Sequence, residues 1–149
     1  MENDLTRHIL CLTRSFRRWT GRDLLPGLFN PAGLVRNIFE APFVVLSHGL
    51  EADPVLNYGN RAALNLWEMS WEEFTRTPSR LTAEAPKREE RARFLKIVSE
   101  RGFIDDYSGV RISKSGRRFQ ISNAIVWNLI SETGELRGQA ATFSAWEFL

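Results

Sequence analysis

The chain has 149 residues, of which 43% are hydrophobic and 26% charged, which suits one domain with its own core and excludes a disordered or fibrous chain. A formal net charge of +2 is too small to announce a nucleic-acid binder. Cys11 is the only cysteine, so an internal disulfide framework and a cysteine-rich zinc site are excluded and a reducing, cytoplasmic setting is expected.

Residues 3–20 predict a helix. Leu5, Ile9, Leu12, Phe16 and Trp19 recur at three- and four-residue spacing as a narrow apolar seam. Asn3 or Asp4 is placed to cap it and Gly21 to end it. Arg14, Arg17 and Arg18 interrupt what would be the apolar core of a secretory signal. No stretch reaches the roughly 18 consecutive apolar residues of a membrane span. The seam packs either on its own domain or on a second copy, and a homodimer using Leu5–Trp19 is expected. Leu25–Pro31 is a turn-rich joint, and Pro31 starts a short helix, Ala32–Glu40.

Pro42 stops that helix, and Phe43–Ser47 reads as a buried strand. The segment Val55–Trp67 reads as a strand running into a helix. Val55, Leu56 and Tyr58 suit a half-buried strand, Gly59 permits the turn, and Asn60 is a preferred N-cap. Ala63, Leu64 and Trp67 then share one helical face. Ser70 with Glu73 forms a capping box that starts a helix over Trp71–Thr75. Pro86–Arg101 predicts the longest central helix, with Phe94, Leu95 and Val98 facing inward and Gly102 as a left-handed cap.

The last third predicts strands: Asp106–Ser113, a hairpin at Lys114-Ser115-Gly116, a strand from Arg117, a turn at Ser131–Glu135, and a strand over Leu136–Ser144. In the middle strand Phe119, Ile121, Ile125 and Trp127 point to one side, with Asn123 in their row unless a bulge shifts the register. The order predicts an α+β domain: a five-stranded antiparallel sheet with helices on one face, plus an N-terminal helical extension. Its boundaries are 1–38 for the extension and 39–149 for the domain.

This element order resembles the PAS superfamily, whose domains have an opening strand pair, an Asn-capped helix like Asn60–Trp67, a connecting helix like Pro86–Arg101 and three closing strands. The hairpin from Arg111 to Gly116 and the passage from Gly134 to Gly138 also match. More closely, SHGLEADPVLNYGNRAALNLWEMSWEEF and GFIDDYSGVRISKSGRRFQISNAIVWNL resemble the MEKHLA family. That is a PAS-like group found as small stand-alone bacterial proteins and at the C-terminus of some plant homeodomain transcription factors. The resemblance covers roughly Phe39–Phe143 and implies a small stand-alone bacterial member with a sensory or interaction role. It supplies no catalytic residues. Haem-binding PAS domains carry an axial His on the helix equivalent to Pro86–Arg101, and blue-light PAS domains carry a Cys between the capped and connecting helices. This chain has neither, so haem and a thiol-adduct flavin are unsupported, while a non-covalent small molecule, flavin included, stays open.

His8 and His48 belong to no ligand-spaced cluster, so no metal site is expected. Asp105, Asp106 and Tyr107 read as a solvated turn before a strand rather than acid–base equipment. No catalytic residue is expected. Two functions are carried forward. One is a small-molecule sensor with a pocket between sheet and helices. The other is a homodimerisation or protein-interaction module with a filled core. Nucleic-acid binding is not expected, because the aromatics alternate inward. For the sensor, Asn123 is the expected polar anchor and Tyr58, Phe119 and Trp127 the walls, with Gly138, Ala140 and Ala141 leaving room. The alternative is that protein groups satisfy Asn123 and the core is full.

Overall fold

The computed structural model describes residues 3–149. Asn3 caps helix α1 (Asp4–Thr20), its side-chain oxygen accepting from the Thr6 amide at 2.8 Å. Helix α2 (Pro31–Phe39) starts on Pro31 behind an Asn30 cap. Then follow β1 (Val44–His48), β2 (Leu56–Gly59), α3 (Arg61–Trp67), α4 (Trp71–Phe74), a 3-10 turn (Ser79–Thr82), α5 (Arg88–Arg101), β3 (Phe103–Ile112), β4 (Arg118–Ile130), β5 (Leu136–Phe143) and β6 (Ala145–Phe148). The expected antiparallel sheet is present in the order β2-β1-β5-β4-β3, and β6 adds a sixth strand beside β4.

Asn60 is the joint of this arrangement. Its side chain is fully buried and makes four hydrogen bonds. The amide oxygen accepts from the Ala63 amide and from the Val45 amide, both at 3.1 Å. The amide nitrogen donates to the Ile38 carbonyl at 3.1 Å and the Phe43 carbonyl at 2.8 Å. One side chain thus caps α3 and ties the end of α2 to the start of β1. Gly59 beside it serves packing rather than the expected turn. Its φ is ordinary, and a Cβ there would lie 2.5 Å from the Phe74 ring.

Helix α5 starts two residues later than the sequence predicts. Ala83 bridges to Arg111, and the Glu84 amide donates to the Val110 carbonyl at 3.1 Å. The approach to the helix is therefore drawn out along the edge of β3, and Lys87 is still extended. The inward stripe also differs. Val98 is buried, but Leu95 is 53% exposed.

The uniform inner row of β4 is corrected by a bulge. Asn123 has φ +53° and is exposed. Ile121 pairs with Gly109 and Ala124 with Tyr107, so Ser122 and Asn123 oppose Ser108 alone. The extra residue reverses the alternation. Phe119, Ile121 and Ala124 pack with Trp67, Phe74 and Phe143. Trp127 and Leu129 instead pack with Ile9, Leu12, Phe16, Val45 and Tyr58. Asp105 and Asp106 bulge out of β3 in turn, and Val126 resumes opposite Ile104.

The sheet is covered on both faces. Helices α3, α4 and α5 lie on one side, and α1 and α2 lie on the other. The Trp127 ring meets Phe16 edge-on at 4.9 Å, and its indole N–H donates to the Leu12 carbonyl at 3.1 Å. The α1 seam expected to join two copies is therefore occupied within the chain, with Ile9, Leu12 and Phe16 buried.

Two outcomes test this account. Asn60→Ala leaves two amides and two carbonyls short of partners and is expected to cost about 3–5 kcal/mol in urea unfolding; a loss under about 1 kcal/mol would show that water replaces the amide. A chain starting at Leu34 exposes the surface under α1 and is expected to aggregate or self-associate. A stable monomer would instead make 39–149 a self-sufficient domain, as the sequence boundary has it.

Candidate functional site

Three polar residues meet across the sheet on the α5 side. His48 on β1 pairs with Gln139 on β5, and Gln139 pairs with Asn128 on β4. Neighbours directly opposite on adjacent strands share a face, so the three form a polar row. Gln139 donates to the Asn128 side-chain oxygen at 3.3 Å, and Asn128 donates to the Val98 carbonyl at 3.3 Å. His48 places Nδ1 2.9 Å from the Gly49 carbonyl. That contact requires a proton on Nδ1, which leaves Nε2 as an acceptor in the neutral ring.

His48 and Gln139 lie at one end of an open groove of about 960 Å³ between β3, α5 and the segment from Ser79 to Lys87. Ile104, Tyr107, Phe94 and Leu95 give it apolar walls, and Phe94 packs on Tyr107 at 5.3 Å between ring centroids. The exposed Leu95 is explained by this position: it borders the groove instead of the core. At the far end Arg111 lies back over Tyr107, its guanidinium 5.3 Å from the ring centroid. Several charges around the groove are neutralised in place: Arg80 by Asp53, Arg93 by Asp106, and Glu84 by Arg118.

The four residues expected to form a pocket are not brought together. Asn123 sits exposed on the bulge. Phe119 faces α3, with its ring 5.3 Å from Trp67, while Tyr58 and Trp127 lie beneath α1. The bulge is the physical reason, since one extra residue in β4 sends the two ends of the row to opposite faces. Sequence reasoning passed over Gln139, Asn128 and Arg111. The legible signal was polar residues interrupting apolar strands at positions that pair with one another.

A second polar cluster lies under α1. His8 Nε2 is 2.8 Å from Ser47 Oγ, and Ser47 donates to Asn57 at 2.5 Å. The arrangement has the look of a nucleophile and base, but Ser47 is fully buried and its proton is committed to Asn57. It ties α1 to β1 and β2. The neighbouring Tyr58 hydroxyl is buried without a hydrogen-bond partner, and burial pushes its phenol well above the usual range. Among the described residues, no group of three or more His, Cys, Asp or Glu is placed to hold a metal ion. No helix there is long and apolar enough to cross a membrane.

The sequence model of the MEKHLA domain matches residues 6–148. The chain belongs to the MEKHLA domain family. The match includes α1, so the family region reaches across the cover of the second sheet face. No curated protein matches the chain significantly. Among solved structures it is similar to the PAS domain of a protein from Colwellia psychrerythraea, at 13% identity, TM-score 0.59, covering 76% of this chain and 92% of that one. It is similar to an RNA-binding light-oxygen-voltage receptor at 18% identity and TM-score 0.65, covering 81% of this chain and 36% of that one. It is also similar to the light-state dimer of the fungal blue-light photoreceptor Vivid at 14% identity and TM-score 0.59, covering 95% and 93%. At these identities the likeness establishes a PAS-like α+β fold for this MEKHLA domain.

Burial holds the His8 imidazole below its ordinary pKa of 6.5. The unfolded chain then binds more protons than the folded one just below pH 6.5, so stability rises with pH in that window. The melting temperature is expected to fall from pH 7 to pH 5, and His8→Asn is expected to flatten that fall. The exposed carboxylates with lowered pKa values, such as Glu40 and Glu68, act at lower pH. An equal fall in both proteins would remove His8 as the cause.

Proposed function

We propose that this MEKHLA domain is a sensory module that holds a small molecule non-covalently in the groove between α5 and the sheet. The observation that carries the reading is the polar row His48–Gln139–Asn128 beside an open, partly apolar groove of about 960 Å³. Small-molecule sites combine apolar walls with a few fixed polar groups. Here the neutral His48 ring offers Nε2 as an acceptor, and Gln139 retains its own carbonyl oxygen. The resemblance to light-oxygen-voltage receptors supports a sensory role, and the single free thiol, Cys11, agrees with a cytoplasmic setting. No catalytic step is assigned to the groove.

Self-association is the second reading. One likeness favours it: Vivid, similar over 95% of this chain, is described as a light-state dimer. With the α1 seam seated on its own sheet, a homodimer here uses another surface.

Native mass spectrometry and an absorbance spectrum of the purified protein test the first reading. A copurifying species is expected, and His48→Ala with Gln139→Ala is expected to reduce its occupancy several-fold while the fold is kept. An empty protein that also shows no melting shift against a metabolite library would overturn ligand binding. If light scattering then finds a dimer, the interaction reading takes its place.

A further inference from the structure

The far end of the groove has a chemistry of its own. Tyr107, Gly109 and Arg111 alternate along β3 and pair with Ala124, Ile121 and Phe119, which face the helices α3 and α4. The Arg111 side chain folds back along its strand over Gly109. One guanidinium nitrogen donates to the Tyr107 hydroxyl and the other to the Val110 carbonyl, each at 3.3 Å. The guanidinium carbon lies 5.3 Å from the Tyr107 ring centroid. A Cβ at position 109 would come within 3.2 Å of both the guanidinium and the Tyr107 hydroxyl, so the missing side chain gives the arginine its bed.

A guanidinium has five N–H donors. The two bonds above use two of them, and both acceptors are neutral. Among the described residues no carboxylate lies within ion-pair distance of Arg111, although Arg80, Arg93 and Arg118 in the same region each have one. The groove charge points the same way. After those pairs cancel, Lys87, Arg91 and Arg111 face Glu90 alone. An arginine held over a ring by two hydrogen bonds has already given up part of its rotamer freedom, so an incoming anion meets a partly preorganised fork of donors.

We propose that Arg111 is the anion anchor of the groove, and that the groove takes an organic acid, a carboxylate or phosphate ester whose flat apolar body lies over Tyr107 toward Phe94. This rests on the groove being the ligand site and adds the charge class and the residue that selects it. Carboxylate and phosphate share the same recognition by the guanidinium.

The test is an amide NMR titration of the full chain with 2-naphthoate, 2-naphthyl phosphate and the neutral 2-naphthamide. Either or both acids are expected to shift amides around residues 107–111 and 94–95 and to bind at least about tenfold more tightly than the amide. Arg111→Met keeps the stem over Gly109 and is expected to bring the acids down to the level of the amide, with an otherwise unchanged spectrum. Arg111→Lys, which keeps charge without the planar fork, is expected to fall between. Equal binding of acid and amide, or unchanged acid binding by Arg111→Met, overturns the anchor while leaving the groove as a ligand site. If no probe moves groove amides, the anchor also falls, and native mass spectrometry of the purified protein decides separately whether the groove holds any ligand.

Discussion

The buried amide of Asn60 ties together the end of α2, the start of β1 and the first turn of α3. Its oxygen takes the Val45 and Ala63 amides, and its nitrogen holds the Ile38 and Phe43 carbonyls. A hydroxyl could not supply both two acceptor directions and two donors, and an aspartate could not donate. Because the amide sets where α3 starts, it also sets where Trp67 ends up. That indole packs on Phe74, Phe119 and Phe143 and donates to the Thr82 carbonyl at 3.3 Å. The bond to Thr82 holds the 3-10 turn, and the chain leaving that turn forms one wall of the groove. A local cap thus reaches the functional surface through a short series of packed groups.

The second organising constraint is the paired slip in the long strands. At Asn123 the backbone enters the left-handed region, where Asn is tolerated better than most side chains. Across from it, β5 ends at Phe143 and β6 begins at Ala145, which keeps Phe143 and Trp146 in the same cluster. One strand can therefore give Phe119 and Ile121 to the core beneath α3 and Trp127 and Leu129 to the core beneath α1. The sheet acquires two apolar faces. That second face needs a cover, and α1 with α2 supplies it.

Covering both faces moves the accessible chemistry away from the aromatic core. The core clusters are packed with Trp, Phe and aliphatic side chains, while the groove opens at the edge of the sheet, where α5 rests on Val98 and Phe94. The surface ion pairs around it contribute little stability, since exposed pairs are worth about 0–1 kcal/mol. Their effect is to cancel local charge and leave the unpaired groups to define the field that a ligand meets.

Local chemistry made much of this legible in the sequence. The caps at Asn3, Asn60, Ser70 and Gly102 and the hairpin at Lys114–Gly116 depend on neighbours within a few residues, and they stand as read. The resemblance carried by the Asn60 helix and the closing strands reached the family. Three things were decided only by tertiary structure. The faces of Phe119 and Trp127 depend on a single extra residue in β4, which periodicity alone does not place. The seam of α1 reads the same whether it meets its own sheet or another copy, and in this chain Phe16 and Leu12 meet Trp127 of their own sheet. The groove residues His48, Gln139 and Arg111 come from three strands distant in sequence, and only strand pairing brings them to one side of the sheet.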